Sequence, residues 1–192
     1  MSDTNTAGPK LIGPKLIGKV YGIPPQPPVA ENTTYLQAGA ITIGVEYRDV
    51  NPDNLLETYK DTAYLDELLE KSPAGGFTDE GVSIHVCATE GGHEYLRFDV
   101  FDDDPHYHYI HAGDEVVNNV IDFDVRAHGE MLPWVIERLR SRLPEMLPHA
   151  KGEHLVPLVD HALLDPVIAQ VEALATKAQA DVRAVRAARA AG

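Results

Sequence analysis

The segment His106-Tyr107-His108-Tyr109-Ile110-His111 puts three imidazoles within six residues. On a strand, residues two apart point to the same side. His106 and His108 can then reach one ion while Tyr107 and Tyr109 turn to the apolar side. Two neutral imidazoles and one carboxylate form a donor set suited to iron or zinc. Neighbouring segments carry further donors in the same alternation. Val82, Ile84, Val86 and Ala88 alternate with Ser83, His85, Cys87 and Thr89, and Leu96, Phe98 and Val100 alternate with Tyr95, Arg97, Asp99 and Phe101. With Ile121, Phe123 and Val125 on the apolar side of a fourth segment, Asp122, Asp124 and Arg126 join the polar side. The candidate metal ligands are therefore His85, His106, His108, Asp99, Asp122 and Asp124. Arg97 and Arg126 are candidates for gripping a ligand's carboxylate. The competing expectation is a half-solvated sheet face on which His, Asp and Arg pair across strands. A one-residue shift at Asp102–Pro105 would exchange the two faces, so which face carries His106 and His108 stays open at this point.

Other residues that could do chemistry are read as structural. Asp102, Asp103 and Asp104 form an acidic turn without the glycine and distal glutamate of a calcium loop, and Asp102 or Asp104 could cap the hairpin locally. Cys87 lacks an orienting third group and reads as an inert thiol. His128 precedes a helix and serves as a turn or cap residue, or as an acid–base group at the helix N-terminus. Trp134 reads as a packing anchor. Glycine-rich nucleotide loops, a serine nucleophile elbow and a paired-His zinc helix are all missing, which removes support for nucleotide-dependent and serine-hydrolase chemistry.

The elements that must position these residues follow from periodicity. Four strands are expected at 81–89, 94–102, 106–111 and 118–127, joined by turns at 90–93 and 102–105, which makes an antiparallel meander. A strand at 40–48 could extend it at the N-terminal side. Asn51-Pro52 starts a helix that runs to about residue 71. A second helix follows Gly129, with Leu132, Val135, Ile136, Leu139 and Leu143 on one face, and Pro144 and Pro148 end or kink it. Asp165-Pro166 starts a long alanine-rich C-terminal helix with a seam of Val167, Val171, Leu174, Ala178, Val182 and Val185. That seam packs on its own domain or joins an oligomer. The expected fold is α+β: a four-stranded antiparallel meander covered on one face by helices, with an extended arm at 1–33, a domain at 34–150 and a helical segment at 151–192.

The arm contains GPKLIG twice, at 8–13 and 13–18, and IPPQPP at 23–28. Proline excludes a regular helix or central strand there, so an extended conformation is expected. Leu11, Ile12, Leu16, Ile17, Val20 and Tyr21 are out of place in a solvated linker and suit a tail lying in a groove of a partner or of its own domain, the alternative being plain disorder. The chain carries 30 acidic against 16 basic residues for a net charge of −14. Most of the excess lies in residues 41–130, with 21 acidic and 5 basic side chains. Such a chain repels nucleic acid and anionic membranes. The polar N-terminus, the lack of a long apolar run and the single cysteine fit a cytoplasmic protein without disulfides. Three functions remain. The first expectation is a non-catalytic accessory subunit that docks on a protein partner, or self-associates, through its arm and C-terminal helix. The second is a small metal-dependent enzyme or metal-binding protein with iron or zinc. The third is a small-molecule binding module on the same polar face.

Overall fold

The computed structural model describes residues 17–72, 76–112 and 116–190. The fold is mixed α+β. Its antiparallel sheet comprises β1 (Lys19–Tyr21), β2 (Thr33–Ala38), β3 (Ile41–Val50), β4 (Asp79–Ala88), β5 (Glu94–Phe101), β6 (His106–Ala112) and β7 (Val116–Asp122). The spatial order is β1-β7-β6-β5-β4-β3-β2. The four expected strands are the middle of this sheet, and the expectation of four is corrected to seven. The reason is the segment before β3. Thr33–Ala38 folds back on it as a hairpin, and Lys19–Tyr21 pairs with β7 at the opposite edge.

The chain must therefore travel from one edge of the sheet to the other between β1 and β2. Residues 22–32 make that crossing over one face. Six inter-strand steps of about 4.8 Å come to about 29 Å. Eight residues at about 3.1 Å each, followed by the 3₁₀ turn Ala30–Asn32 at about 2.0 Å each, reach about 31 Å, which suffices. IPPQPP suits this strap because proline needs no ladder partner and holds the chain extended. Part of the predicted arm thus lies on its own domain. The remainder, including Leu11, Ile12, Leu16 and most of the GPKLIG repeat, falls outside the described residues.

A helix pair lies over the strap. Asn51 and Asn54 form a reciprocal capping box at the start of α1 (Pro52–Tyr59). The single helix expected here is instead two, α1 and α2 (Leu65–Lys71). The Thr62 hydroxyl donates to the Tyr59 carbonyl and accepts from the Tyr64 amide, which ends the first helix. Gln26 Nε2 donates to the Asn54 carbonyl and to Thr58 Oγ1 at 3.3 and 2.9 Å, and the Tyr59 hydroxyl donates to the Pro24 carbonyl at 2.7 Å. The sheet is thus covered on both faces, not on one.

The opposite face carries the apolar core. Ile43, Ile84, Leu96 and Phe98 meet Val135 and Leu139 of α4 (Met131–Ser141) and Leu143, all fully or almost fully buried. Burying such a side chain stabilises by about 1.5–3 kcal/mol. Between β7 and α4 lies a single helical turn, α3 (Val125–His128). The fourth strand was expected to run to 127, but it stops at Asp122. The Asp124 carboxylate accepts from the amides of Arg126 and Ala127 at 3.0 and 3.2 Å and turns the chain into α3. After α5 (Leu143–Met146), which has Pro144 in its first turn, α6 runs from His161 to Ala190. It starts earlier than the Asp165-Pro166 signal because Asp160 caps it through Ala162. Leu164, Val167, Ile168, Val171 and Ala175 enter the core, Leu174 and Ala178 pack at its margin, and Val182 is half-exposed. The Val185 side chain lies outside the described residues. Among the described residues no helix is long and apolar enough to cross a membrane.

Candidate metal centre

The strap changes the character of the polar sheet face: its charged groups are buried. Register places Gly44, His85, Arg97, His108 and Val120 in one row across five strands, and Glu46, Ser83, Asp99, His106 and Asp122 in the next. These rows divide into two sets of contacts.

The first set binds the strap. Both ring nitrogens of His85 donate to carboxylates, Nδ1 to Glu94 Oε1 at 2.7 Å and Nε2 to Glu46 Oε2 at 3.2 Å. Carboxylates only accept, so this geometry suits the imidazolium. Arg97 grips Glu94 in a two-pronged contact, Nε to Oε1 at 2.8 Å and Nη2 to Oε2 at 2.7 Å. Its Nη1 donates to the Gln26 carbonyl at 2.8 Å, where Arg48 Nη1 also donates at 3.1 Å. The Val29 amide donates to Glu46. Burial alone would depress His85, yet Glu46 and Glu94 together hold its pKa above the ordinary value. Burial likewise opposes ionisation of Glu94, but Arg97 and His85 keep it well below the usual carboxylate range. Arg97, a candidate ligand-gripping residue, is fully engaged with Glu94 and the strap. His85, a candidate metal ligand, points its two nitrogens at two different carboxylates on opposite sides of the ring.

The second set converges on one point. Asp99 Oδ2 lies 3.4 Å from His106 Nε2 and 3.0 Å from His108 Nε2. Every ligand is fixed from behind. The Ser83 hydroxyl donates to Asp99 Oδ1. His106 Nδ1 donates to the Asp104 carbonyl at 2.6 Å, and His108 Nδ1 donates to Asn118 Oδ1 at 2.7 Å. With Nδ1 protonated, the neutral rings aim Nε2 lone pairs at a carboxylate oxygen. Three lone-pair atoms facing one another require a cation between them or protons on the rings. Asp99, His106 and His108 form a buried group whose donor atoms all lie within 4.8 Å of one another and could hold a metal ion. Two atoms bound at about 2.1 Å sit about 3.0 Å apart at a right angle and about 3.4 Å apart at the tetrahedral angle, so both separations suit one ion. Burial would raise Asp99, but the two histidines beside it hold its carboxyl well below the usual range. Burial and Asp99 pull oppositely on the rings, leaving His106 raised and His108 lowered.

The turn carrying Asp104 is itself held in place. The amides of Asp103 and Asp104 donate to the buried Asp79 carboxylate at 3.3 and 2.8 Å. The acidic triplet is thus tied to β4 from across the sheet, and this aims the Asp104 carbonyl at His106. A cleft of about 270 Å³ opens beside the two histidines, between β1 and β7 on one side and α1 and α2 on the other.

Of the candidate ligands, Asp99, His106 and His108 come together. Asp122 lines the cleft, mostly exposed and 3.5 Å from Lys19. Asp124 and Arg126 leave the sheet for the α3 cap, which corrects their placement on the polar strand face. The Cys87 thiol is buried and pushed up to about 12 by burial and by Glu94. His128 is exposed, its ring 5.5 Å from Phe123. Trp134 packs with Phe98, Tyr107 and Phe123. Ser83, Asn118 and Asp79 were missed. Ser83 was visible, since it shares the parity of His85 one strand from Asp99. Asn118 and Asp79 carried no signal before the register was known.

No curated protein and no solved structure matches the chain. A family model described as "Domain of unknown function (DUF7700)" matches residues 35–175. That span runs from within β2 to the last core residue of α6 and includes Asp99, His106 and His108. It covers well over half of the sequence, and the chain belongs to this family.

Proposed function

We propose that this protein binds one iron or zinc ion through Asp99, His106 and His108 and acts as a small metal-dependent enzyme or metal-binding protein. The observation that carries the reading is the outer support of the three ligands. Each has its second polar atom occupied by Ser83, the Asp104 carbonyl or Asn118, so each turns a lone pair inward. Metal-binding histidines commonly donate their other ring N–H to a carbonyl or carboxylate in this way. The same orientation would satisfy protonated rings against Asp99, so metal content is what separates the two readings.

Three protein ligands leave positions open on the ion, and an ion so held supplies Lewis-acid polarisation or an activated water. The chain's own residues hold and shield the centre. Ser83 and Asn118 fix the ligand rotamers, and the Asp79-bound turn fixes His106. The strap and α1 exclude water from the charged rows behind them. Tyr59, at the cleft wall, is pushed up to about 12 by burial and donates to the Pro24 carbonyl, so it serves as a wall and not as a base. The accessory-subunit reading drew on an apolar arm seeking a groove. The strap around Pro24 and Gln26 lies on this chain's own sheet and helix pair, while Ile17 and Val20 of the arm stay exposed and keep the accessory-subunit reading as the second one.

The test is the metal content of protein purified without chelator, beside a His106→Ala/His108→Ala double variant. About one zinc or iron per wild-type chain and none in the variant is expected. A metal-free wild type that also takes up no zinc or ferrous iron on addition, or a variant that keeps full occupancy, refutes the proposal.

A further inference from the structure

We propose that the cleft beside this centre takes a small monocarboxylic acid with an apolar body, its carboxylate on the ion and its body against the helix pair. The inference rests on the metal reading and adds the class of ligand.

Size comes first. About 270 Å³ lies at the small end of ligand sites, which run about 300–1,000 Å³ for drug-sized molecules. A molecule with a single ring or a short chain fills that volume, whereas a nucleotide would leave much of itself in solvent.

The two walls differ in kind. The sheet wall is polar, with His106, His108 and Asn118. The facing wall is formed by Leu55 of α1, Leu68 of α2 and Phe77, together with Tyr59. Leu55, Leu68 and Phe77 are only half-buried, so apolar surface is left uncovered where the helix pair stands off the sheet. A ligand with an apolar body would remove that surface from water. A sugar or a polyol would leave its hydroxyls unpartnered against the same wall.

Charge selects the head group. At the mouth, Lys19 faces Asp122, and Lys71 is bound to Glu67 while lying 5.2 Å above the Tyr21 ring. Asp104 is exposed to solvent. Each lysine at the mouth is thus matched by a carboxylate, and the one excess charge, on Asp104, faces solvent and is screened there. At the buried floor a divalent ion meets the single charge of Asp99, which leaves one positive charge uncompensated where water is scarce. A monoanion cancels it. A neutral ligand leaves it unmatched, and a dianion places its second charge against leucine and phenylalanine.

The experiment is calorimetric titration of the zinc-loaded protein with 3-phenylpropanoate, 3-phenylpropanamide, acetate and glutarate, with zinc content measured on the same sample. The expected result is at least tenfold tighter binding of 3-phenylpropanoate than of the other three. A Leu68→Asn variant, altered on a half-exposed helix position, should keep about one zinc per chain and bind 3-phenylpropanoate about tenfold more weakly. Full zinc content with equal affinity for acid and amide, or for 3-phenylpropanoate and acetate, overturns the ligand class and leaves the metal reading standing. A protein that holds no zinc overturns both.

Discussion

If Ser83 and Asn118 orient metal ligands, replacing either should weaken metal binding without touching a ligand. Ser83→Ala removes the hydroxyl that holds Asp99 Oδ1. Asn118→Leu, of similar volume, removes the acceptor 2.7 Å from His108 Nδ1. Losing an outer partner of this kind costs about 10–100-fold in metal affinity, or about 1.4–2.7 kcal/mol at 1.36 kcal/mol per tenfold. The same variants also lose an ordinary hydrogen bond, about 0.5–1.5 kcal/mol of stability with or without metal. The two costs separate in a thermal melt. In excess chelator only the second is seen. In zinc at about a thousand times the wild-type dissociation constant, the ion stabilises the wild type by about 4 kcal/mol. For a chain of this length that corresponds to a Tm rise of about 8–16 °C. Each variant should recover about 3–11 °C less of that rise. A chelator competition titration gives the same difference as a dissociation constant. Variants with wild-type zinc affinity, or a wild type whose Tm ignores zinc and iron, would refute the argument that these groups are ordered around an ion.

Other perturbations address the surrounding structure. The imidazolium of His85 faces Glu46 from β3 and Glu94 from β5, with Arg97 beside it. Its pKa is raised on folding, so its contribution is complete below the unfolded value of about 6.5 and is lost as pH rises through the folded value. The Tm gap between wild type and His85→Gln, measured in chelator, should shrink as pH goes from about 6 to about 9; a gap that widens contradicts the assignment. Arg97→Met leaves the Glu94 carboxylate buried without its cation and should cost about 3–5 kcal/mol in a denaturant titration, whereas Glu94→Gln/Arg97→Met should recover part of that loss. Ile168→Ala, at a fully buried position on α6, should cost about 2–5 kcal/mol, while ending the chain after Ala178 should leave the midpoint nearly unchanged.

Alternation made the central strands legible. Ile84 and Phe98 share a side by alternation, with Ser83 and Asp99 on the other; the side of His106 was left open by the turn at 102–105, and the register sets Tyr107 opposite Phe98 and His106 opposite Asp99. The two edges were not legible. Lys19–Tyr21 is three residues between glycines, and its pairing with β7 spans about a hundred residues of chain, which no local pattern encodes. Once that pairing is made, the strap is forced, and the polar face passes from half-solvated to buried. The misplacement of Asp124 and Arg126 has a local cause. Phe123 and Val125 keep the strand's alternation, but the Asp124 carboxylate offers the next two amides a partner that the sheet edge does not.

The division of the polar face into two sets of contacts explains why so much charge is buried here. Burying Glu46, Glu94, Arg48, Arg97 and His85 carries a large desolvation cost, and apolar residues of similar volume would serve stability as well. What apolar residues could not do is anchor a proline strap, whose free carbonyls need donors. Arg97 and Arg48 both donate to the Gln26 carbonyl, and Tyr59 to that of Pro24. The strap in turn covers the sheet beside His106 and His108, so both imidazoles are buried apart from the side that meets the cleft. The strap-binding charges and the ligand set thus share both rows of the sheet face, and holding the strap down is what leaves Asp99, His106 and His108 buried beside the cleft.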